Sequence, residues 1–454
     1  LRHRFFNLPL NEVGDGAGAL MSLSAAMITL ATAQLAPVSN PVPRNYIVGT
    51  QEIYGSGYLY NFTQEAMLVE QTNAAVALGG NQMKIVLSSQ KTCKGYRLAC
   101  DDSVVDLASL CATPGLATLF ADPRISWYHM WMTSFAHPNW IQNDWTKKSL
   151  AAEFDETKAW ALHMLTTYND SGKVFMAGNW EGDWPLLGAS GCKDPNPPHH
   201  YNFSCDPSPT VIERMVKWGQ TRQSAIDAAR AEAVTSHGVT NVTLLYYIEL
   251  NLGPQALPPN APGCAHAIQR IGNNDQSLCT SKPGVANTVL HAVNPDLVSY
   301  SSYTTTNAFA LDADADAVDD LFVSTLAHIE QQLHEKPLLG DHPLGFAKRV
   351  FIGEFGATPK MTPNVTFAKQ YLARVYNAAM EWGPVPFALY WELYSNNSTN
   401  PLIAPPPSQV GDTSEYAAMS AYFAAARAKV AAEGSEMSNA ALAKWAMTYW
   451  GSRT

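Results

Sequence analysis

The chain has few cations, no long apolar run and no nucleotide-binding loop. It carries 29 Lys and Arg against 39 Asp and Glu among 454 residues, a formal net charge of −10. Because no basic cluster occurs along it, we do not expect it to bind nucleic acid or an anionic membrane surface. It also lacks a Gly-x-Gly-x-x-Gly turn after the first strand and a Gly-x4-Gly-Lys-Ser/Thr loop, which argues against a nucleotide cofactor.

Cysteine is sparse but locally paired. Three pairs lie close in sequence and could each close one loop: Cys93 with Cys100, Cys192 with Cys205, and Cys264 with Cys279. We expect the seventh cysteine, Cys111, to be a buried thiol. Local disulfides of this kind are typical of an oxidising compartment. None of the spacings resembles a zinc site, and no other motif indicates a metal or a cofactor.

The N-terminal part of the chain predicts export. Residues 1–36 contain an apolar stretch, 21–30, that is too short to span a membrane and is followed by a small-x-small pattern. We interpret 1–36 as a signal peptide with an upstream segment; an N-terminal amphipathic helix of the mature protein is the alternative. Seven Asn-x-Ser/Thr sequons also favour a secreted glycoprotein: Asn61, Asn169, Asn202, Asn241, Asn364, Asn396 and Asn397. We expect a monomer in which residues 37–454 form one domain.

What the chain has in abundance is an alternation of apolar strands and helices. Eight short apolar runs are predicted as strands: 45–50, 83–88, 125–131, 173–177, 242–248, 297–300, 350–352 and 387–391. Helical periodicity separates them, and a final helix is predicted over 439–450. Continuously apolar strands between helices indicate a parallel sheet covered on its outer face. Eight such units predict a single-domain (β/α)8 barrel with loop insertions; an open doubly wound sheet is the alternative.

Acids, amides and aromatics follow the predicted strands. In a (β/α)8 barrel the functional residues gather at the carboxyl ends of the strands. We found no Lys or Arg at these ends, which argues against a phosphorylated substrate and against a Schiff-base aldolase. The inventory suits a neutral sugar, with aromatic faces for the rings and polar groups for the hydroxyls. It comprises Gln51, Ser88, His129, Trp131, Asn179, Glu181, Glu249, Asn251, Tyr300, Tyr303, Glu354, Trp391 and Glu392.

Two of these carboxylates have the placement that glycosidic bond cleavage requires. Glu181 follows the fourth strand and Glu354 ends the seventh, so both side chains can converge over the barrel axis. Glycosidases commonly use two carboxyls, one as acid/base and one as nucleophile or base. We therefore predict these two as the catalytic pair, at the roughly 5 Å separation of a retaining enzyme.

This arrangement resembles glycoside hydrolase clan A. The Gly-Glu-Phe-Gly of 353–356 and Trp391 after the eighth strand look like the family 5 group within that clan. The resemblance implies a retaining β-glycosidase, with Glu181 as acid/base and Glu354 as nucleophile, acting on a carbohydrate of β-glucan or β-mannan type. It also implies that Tyr303 contacts the nucleophile.

The chain departs from the clan pattern at two points: Trp180 stands between Asn179 and Glu181, and Tyr300 and Tyr303 stand after the sixth strand in place of the usual His-x-Tyr. A β-bulge could return Asn179 to the site; otherwise Asp183 is an alternative acid. We predict that the remaining side chains at the mouth bind substrate: Asn179, Trp180, Trp184, His129, Trp131, Glu249, Asn251, Tyr303, Trp391 and Glu392. For the aromatics and His129, packing in the core is the competing interpretation. For the whole chain, the competing function is a non-catalytic carbohydrate-binding barrel or secreted surface glycoprotein.

Overall fold

A computed structural model of the chain describes twelve segments: residues 43–53, 63–192, 205–265, 268–271, 274–311, 315–336, 348–357, 361–383, 386–393, 402–403, 413–434 and 437–451. Its strands are β1 (Val48–Gln51), β2 (Gln82–Ser88), β3 (Trp127–Thr133), β4 (Val174–Gly178), β5 (Thr243–Leu250), β6 (Ile268–Ile271), β7 (Asn274–Ser277), β8 (Leu297–Ser301), β9 (Val350–Phe355) and β10 (Ala388–Tyr390). Strands β6 and β7 form an antiparallel hairpin. The other eight close into an all-parallel barrel in the order β1-β10-β9-β8-β5-β4-β3-β2.

Helices lie between the barrel strands. They are α1 (Met67–Leu78), α2 (Ser89–Gly95), α3 (Leu107–Cys111), α4 (Pro114–Ala121), α5 (Lys147–Thr167), α6 (Asp183–Ala189), α7 (Pro209–His237), α8 (Gly253–Ala256), α9 (Val285–Thr288), α10 (Leu290–Val293), α11 (Tyr303–Leu311), α12 (Ala315–Gln331), α13 (Val365–Trp382), α14 (Ser414–Glu433) and α15 (Asn439–Trp450). The predicted (β/α)8 barrel is therefore confirmed, with each of its eight strands.

Local chemistry explains where several helices begin and end. Ser208 accepts a hydrogen bond from the amide of Val211, and Pro209 occupies the first position of α7, where no amide hydrogen is needed. Pro114 likewise begins α4, which it separates from α3. Gly79 ends α1 in the left-handed conformation, at φ 117°.

The barrel has an apolar core on each side of its wall. The larger core lies between the strands and the helices, and a smaller cluster fills the interior, where Trp127, Leu245, Leu297, Phe351 and Phe387 are fully buried. A strand buried on both faces must be apolar along its whole length, which is why the sequence shows runs rather than alternation. The interior is thus packed shut below, and polar side chains can face a ligand only at the carboxyl ends of the strands.

The predicted cysteine pairs are confirmed as disulfides. Cys93–Cys100, Cys192–Cys205 and Cys264–Cys279 are bonded, and Cys111 is a free, buried thiol. None of the described helices is both long and apolar enough to cross a membrane. The predicted signal peptide, 1–36, and the sequons at Asn61, Asn202, Asn396 and Asn397 lie outside the described residues.

Candidate active site

Toward the carboxyl ends of β5 and β8, the side chains on the interior face of each strand change from apolar to polar. Side chains two positions apart share one face of a strand. On β5, the interior residue Leu245 is followed on the same face by Tyr247 and then Glu249. On β8, Leu297 is followed by Ser299 and then Ser301. The alternation that fills the interior with apolar groups therefore delivers a carboxylate and two hydroxyls at the top.

Lys84 of β2 lies at the centre of this polar layer. Its Nζ is 2.7 Å from Glu249 Oε2 and 3.2 Å from Glu354 Oε1, and it also donates to the carbonyl oxygen of Gly353 at 3.2 Å. The ammonium group sits 4.2 Å from the ring centre of Trp131, within cation–π range. Lys84 is fully buried. Our sequence-based inventory of the mouth contained no cation, and in this respect it was wrong.

Glu249 is the most heavily bonded carboxylate of the group. Its Oε2 also accepts from Ser299 Oγ at 2.6 Å, while its Oε1 accepts from Trp131 Nε1 at 2.9 Å and from the backbone amide of Glu181 at 3.1 Å. Because both of its oxygens are occupied by protein donors and the side chain is fully buried, Glu249 can organise its neighbours but presents no open face to a ligand.

Glu354 lies on β9, next to Lys84 and Glu249. Its Oε1 faces Lys84, and its Oε2 accepts from Ser301 Oγ at 3.3 Å. The preceding residue must be glycine, because a Cβ at Gly353 would overlap Ser299 Oγ and approach Glu249 Oε2 to 3.0 Å. The Gly-Glu pair of the sequence therefore has a steric cause: the glycine leaves room for the buried carboxylate cluster.

Glu181 approaches Glu354 from the loop after β4. Its Oε1 lies within hydrogen-bond distance of Ser301 Oγ, at 2.7 Å, and its Oε2 accepts from Trp184 Nε1 at 2.9 Å. Ser301 Oγ thus contacts Glu181 at 2.7 Å and Glu354 at 3.3 Å, so the nearest oxygens of the two carboxyls cannot be more than about 6 Å apart. The two side chains that we predicted to face each other do so.

The cluster holds more acids than cations. The ammonium of Lys84 contacts the carboxyls of Glu249 and Glu354, and Ser301 links the Glu181 carboxyl to that of Glu354. Burial raises the pKa of Glu181 to about 7, a shift to which the charge of Glu249 adds and which Lys84, the hydrogen bond from Trp184 and, when its hydroxyl donates to Glu181, Ser301 oppose. Burial also raises the pKa of Glu354 well above its usual range, Lys84 opposes that shift, and the charges of Glu249 and Glu181 increase it.

The pKa values of Glu181 and Glu354 are both raised, so the pair retains a proton at neutral pH, and its titration belongs to the pair as a whole. The contacts of the two carboxyls, and not the shifts themselves, indicate where that proton lies. Lys84 forms ion pairs with Glu249 and Glu354, whereas the direct partners of the Glu181 carboxyl are a hydroxyl and an indole. The proton is therefore most stable on Glu181, and its presence there removes one source of repulsion from Glu354.

The side chain of Asn179 hydrogen-bonds to the backbone of Glu249 and Trp180. Its Oδ1 accepts from the amide of Glu249 at 3.2 Å, and its Nδ2 donates to the carbonyl of Glu249 at 3.1 Å and to that of Trp180 at 3.2 Å. The side chain thereby makes the two hydrogen bonds that a neighbouring strand would make to Glu249. It is buried and occupied, and these contacts account for it without a ligand. The inserted Trp180 is 46% exposed.

Aromatic side chains border the cluster. Trp131 is nearly buried, and its ring centre lies 5.9 Å from that of Trp391, which follows β10. Trp184 is partly buried and donates to Glu181, so it favours the ionised form of that acid. Burial and the charges of Glu354, Glu181 and Glu392 raise the pKa of Tyr303, which places its phenol near the mouth.

The other predicted site residues separate into two groups. Glu392 is buried after Trp391, and Asn251 is buried with neither side-chain amide atom hydrogen-bonded in the structure. His129 belongs to the interior: it is fully buried and packs against Phe351 and Phe387 at 5.5 and 4.9 Å between ring centres. Since aromatic rings enclose it below the mouth, our prediction that His129 binds substrate is not supported, and the competing interpretation as a core residue fits.

Asp183 is not an alternative acid in this structure. Its carboxylate accepts from the backbone amides of Asn251, Leu252 and Val285 at 3.0, 2.9 and 2.7 Å. These bonds tie α6 to the segments after β5 and before α9. Within the described segments, no set of three His, Cys, Asp or Glu side chains is placed to hold a metal ion.

Sequence reasoning missed Lys84, which lies inside β2, and Ser301, which is the last residue of β8. A signal for the lysine was nevertheless present. Lys84 interrupts the apolar run Met83–Leu87, and a charge within a strand buried on both faces requires a partner of opposite charge. Ser301 carries no comparable signal, since a serine at a strand end is unremarkable.

Comparison with known proteins gives likeness in structure but none in sequence. No protein-family model and no curated protein matches the chain. A family 5 xyloglucanase from Paenibacillus pabuli aligns over 83% of this chain and 99% of its own, at 12% identity and a TM-score of 0.46. A broad-specificity endoglucanase from Clostridium longisporum aligns over 88% and 98%, at 10% identity and 0.41. An exo-β-1,4-mannosidase from an Opitutaceae bacterium covers 88% and 63%, at 11% identity and 0.47.

Proposed function

We propose that this protein is a retaining glycoside hydrolase that cleaves β-glycosidic bonds in a neutral poly- or oligosaccharide. One observation carries the proposal: Ser301 Oγ contacts both carboxyls, at 2.7 and 3.3 Å, so their nearest oxygens are within about 6 Å. Retaining enzymes hold the two carboxyls roughly 5–5.5 Å apart, whereas inverting enzymes leave roughly 6.5–9.5 Å for a water molecule. The geometry at the mouth supports the shorter arrangement.

In the first step, Glu354 is the nucleophile and Glu181 is the acid. A carboxylate oxygen of Glu354 forms a bond to the anomeric carbon while the glycosidic C–O bond breaks, and the leaving oxygen takes the proton of Glu181. The environment suits these roles. Lys84 supports the anion of Glu354, and burial keeps Glu181 protonated up to about pH 7.

In the second step, Glu181 acts as the base. Its carboxylate removes a proton from water, the water oxygen bonds to the anomeric carbon, and the ester bond to Glu354 breaks. Glu354 is then again a carboxylate and Glu181 again an acid. Two inversions at one carbon leave its configuration unchanged.

The surroundings favour an uncharged, ring-shaped substrate. Trp131 and Trp391 present aromatic surface beside the carboxyls, and Lys84 is already engaged by two of them. An acidic surplus repels phosphorylated or carboxylated sugars. We therefore propose a β-glucan or β-mannan type of substrate, bound with help from Tyr303 and Glu392. Three disulfides and the predicted signal peptide support action outside the cytoplasm.

The test is hydrolysis of aryl β-glycosides, β-glucans and β-mannans by the wild type and by Glu354→Gln and Glu181→Gln. We expect each substitution to lower kcat/KM by roughly a thousandfold or more on polysaccharide, with the fold intact by circular dichroism. A good aryl leaving group needs no acid, so it should spare the first step in Glu181→Gln. Glu156→Gln is a control, because Glu156 bonds to the backbone amides of Phe135 and Ala136 and has no recorded contact with the mouth cluster.

Two further measurements separate the proposal from its competitors. Proton NMR of the first-formed sugar should show the substrate's own anomeric configuration; the opposite anomer would exclude retention. The rate should fall above about pH 7, where Glu181 loses its proton. Binding of these glycans without turnover by the wild type would instead indicate a carbohydrate-binding barrel.

A further inference from the structure

A single hydroxyl, that of Ser301, bridges the two carboxyls on which the proposed function rests. Ser301 is the last residue of β8 and is 1% exposed. It pairs with Glu354 of β9, and the next amide, that of Ser302, donates to the Glu354 carbonyl at 2.7 Å. The hydroxyl is therefore held by two strands of the barrel, and its position does not depend on a loop.

The number of hydrogens at this bridge decides what it can do. A serine hydroxyl has one hydrogen to donate and can also accept. Its oxygen lies within hydrogen-bond distance of Glu181 Oε1 and of Glu354 Oε2, at 2.7 and 3.3 Å. With both acids ionised, only one of these contacts can be a hydrogen bond. Both contacts are hydrogen bonds only when one carboxyl carries a proton and donates it to Ser301.

We propose that Ser301 is a positioning residue that couples the protonation of Glu181 to the ionisation of Glu354 through one hydrogen-bond chain. In the resting protein the acid group of Glu181 donates to Ser301 Oγ, and the Ser301 hydroxyl donates to the Glu354 carboxylate. The singly protonated pair is then the state in which all the donors and acceptors of the bridge are satisfied, and it is the state from which the reaction begins.

The same hydroxyl can follow the reaction by rotating. When Glu354 becomes an ester and Glu181 gives up its proton, the Ser301 hydrogen turns from Glu354 to the new carboxylate of Glu181. Ser301 is then hydrogen-bonded to Glu181, the group that acts as base in the second step. When the second step returns the proton to Glu181 and frees the Glu354 carboxylate, the hydrogen turns back. No proton leaves Ser301 at any point, so atoms and charges balance as in the two steps above.

Other charged groups also face this pair, and the test has to distinguish Ser301 from them. Lys84 approaches from β2, Glu249 from β5, and Tyr303 and Glu392 act on the pair from α11 and the segment after β10. Trp184 donates to the other oxygen of Glu181. None of these groups bonds to both carboxyls, so only the loss of Ser301 should bring the two titration steps together.

The direct test is carbon NMR of the free protein with 13C-labelled glutamate carboxyls, titrated from acid to alkaline pH. Glu181→Gln and Glu354→Gln identify the two signals. In Ser301→Ala we expect the lower step of the pair to rise and the upper step to fall, each by roughly one pH unit, the size given by one charge-assisted hydrogen bond. Ser301→Thr, which keeps the hydroxyl, should restore the separation.

Ser302→Ala is the matched control. Its hydroxyl donates to the backbone carbonyl of Glu354 at 3.0 Å and does not contact either carboxyl. If Ser301→Ala leaves the separation as in the wild type, or if Ser302→Ala reduces it equally, the coupling is refuted. Thermal unfolding of each variant confirms that a folded protein was titrated.

The kinetic counterpart is a narrower pH profile of kcat/KM in Ser301→Ala, with both limbs displaced inward. This arm depends on the proposed hydrolase activity, whereas the titration does not. A wild type that hydrolyses no glycoside would remove the proposed function and leave the titration to decide the role of Ser301. An active wild type with unmoved limbs in Ser301→Ala would remove the coupling and keep the function.

Discussion

Two buried ionic clusters of this barrel have opposite charge balance. At the mouth, Lys84 serves three carboxyls. Outside the barrel wall, Asp296 precedes β8, and its carboxylate bonds to Arg230 at 2.8 Å, to Lys336 at 2.9 Å and to the amide of Tyr246 at 2.9 Å. Burial opposes ionisation of Asp296, but Arg230 and Lys336 outweigh it and hold the pKa of this carboxyl well below its usual range.

The difference distinguishes a cluster with a fixed protonation state from one in which a proton is shared. The single carboxylate of Asp296 has two cationic partners, Arg230 and Lys336, which keep it ionised at all moderate pH values. The three carboxyls at the mouth have one nearby ammonium, that of Lys84. Glu181 and Glu354 therefore share a proton that can be transferred. Surplus acidity weakens the folded state, and a protein tolerates it only where the unpaired group has a use.

The largest effect on stability should come from Asp296→Asn. Removing one partner of a buried ion pair leaves the others unpaired, and we expect a loss of about 3–5 kcal/mol in the free energy of unfolding. Because the folded pKa of Asp296 is lowered, this contribution is complete above the unfolded value near 4 and shrinks as the pH falls below it. Denaturant unfolding at pH 7 and pH 3 measures both, and activity per folded molecule should be unchanged.

Asp227→Asn is the control for that experiment. Asp227 also pairs with Arg230, but its side chain is 52% exposed. An exposed ion pair contributes about 0–1 kcal/mol. An equal loss in the two variants would show that burial does not distinguish the Asp296 cluster from the surface.

Lys84→Met should have the next largest effect on stability and should also abolish most activity. Lys84 opposes the rise in the pKa of Glu354, so without the ammonium that pKa rises further and the proposed nucleophile is less often ionised at neutral pH. We expect kcat/KM to fall roughly a hundredfold at pH 7, with the acid limb displaced upward. The free energy of unfolding should fall by about 2–4 kcal/mol at pH 8 and by less at pH 5, because the raised pKa of Glu354 favours its neutral form at the lower pH.

Lys173→Met provides the comparison for the lysine. Lys173 is also buried, but its Nζ donates to the carbonyls of Asp122 and Ile125, both at 2.6 Å. It should cost stability without moving the acid limb of the pH profile. If the acid limb of the pH profile also moved in Lys173→Met, its displacement in Lys84→Met would reflect general destabilisation of the fold and not the loss of the Lys84 charge.

The smallest effect has the opposite sign. Glu181→Gln removes an acid whose folded pKa, about 7, lies above its unfolded value. Such a group lowers stability as the pH rises through this interval, so the variant should be more stable than the wild type by about 1–3 kcal/mol at pH 8 and nearly equal to it at pH 4. Denaturant unfolding of both proteins at pH 4 and pH 8 measures this difference in the free energy of unfolding. A destabilised Glu181→Gln at pH 8 would contradict the idea of a strained mouth.

The fold could be predicted because apolar runs determine it. Each of the eight barrel strands was found from a short, mainly apolar stretch, and α15 lies over the predicted residues 439–450. The hairpin β6–β7 and the short helices α2, α6, α8 and α11 were missed. They lie in loops, where hydrogen bonds such as those of Asp183 decide the conformation, and no periodicity reports such bonds.

The site was predicted only in part. Strand order along the chain implied that Glu181 and Glu354 meet, since side chains at the carboxyl ends of parallel strands converge. Two further features depend on register around the closed barrel and could not be derived. One is the meeting of Lys84 with Glu249, which are 165 positions apart. The other is the diversion of Asn179 to the backbone, since a side-chain amide does not reveal in advance whether it will bind a peptide group.

The contact between Asn179 and Glu249 has a consequence for how this loop can vary. A side-chain amide takes the place of a peptide unit and continues the edge of β4 by one step, after which the amide of Gly182 returns to the same carbonyl of Glu249 at 2.8 Å. The chain between these two anchors can therefore bulge outward, carrying an exposed Trp180, while Glu181 stays at the depth set by β5. The length of this loop and the position of Glu181 are therefore uncoupled, and the bulge is a place where the loop can vary without displacing the Glu181 carboxyl.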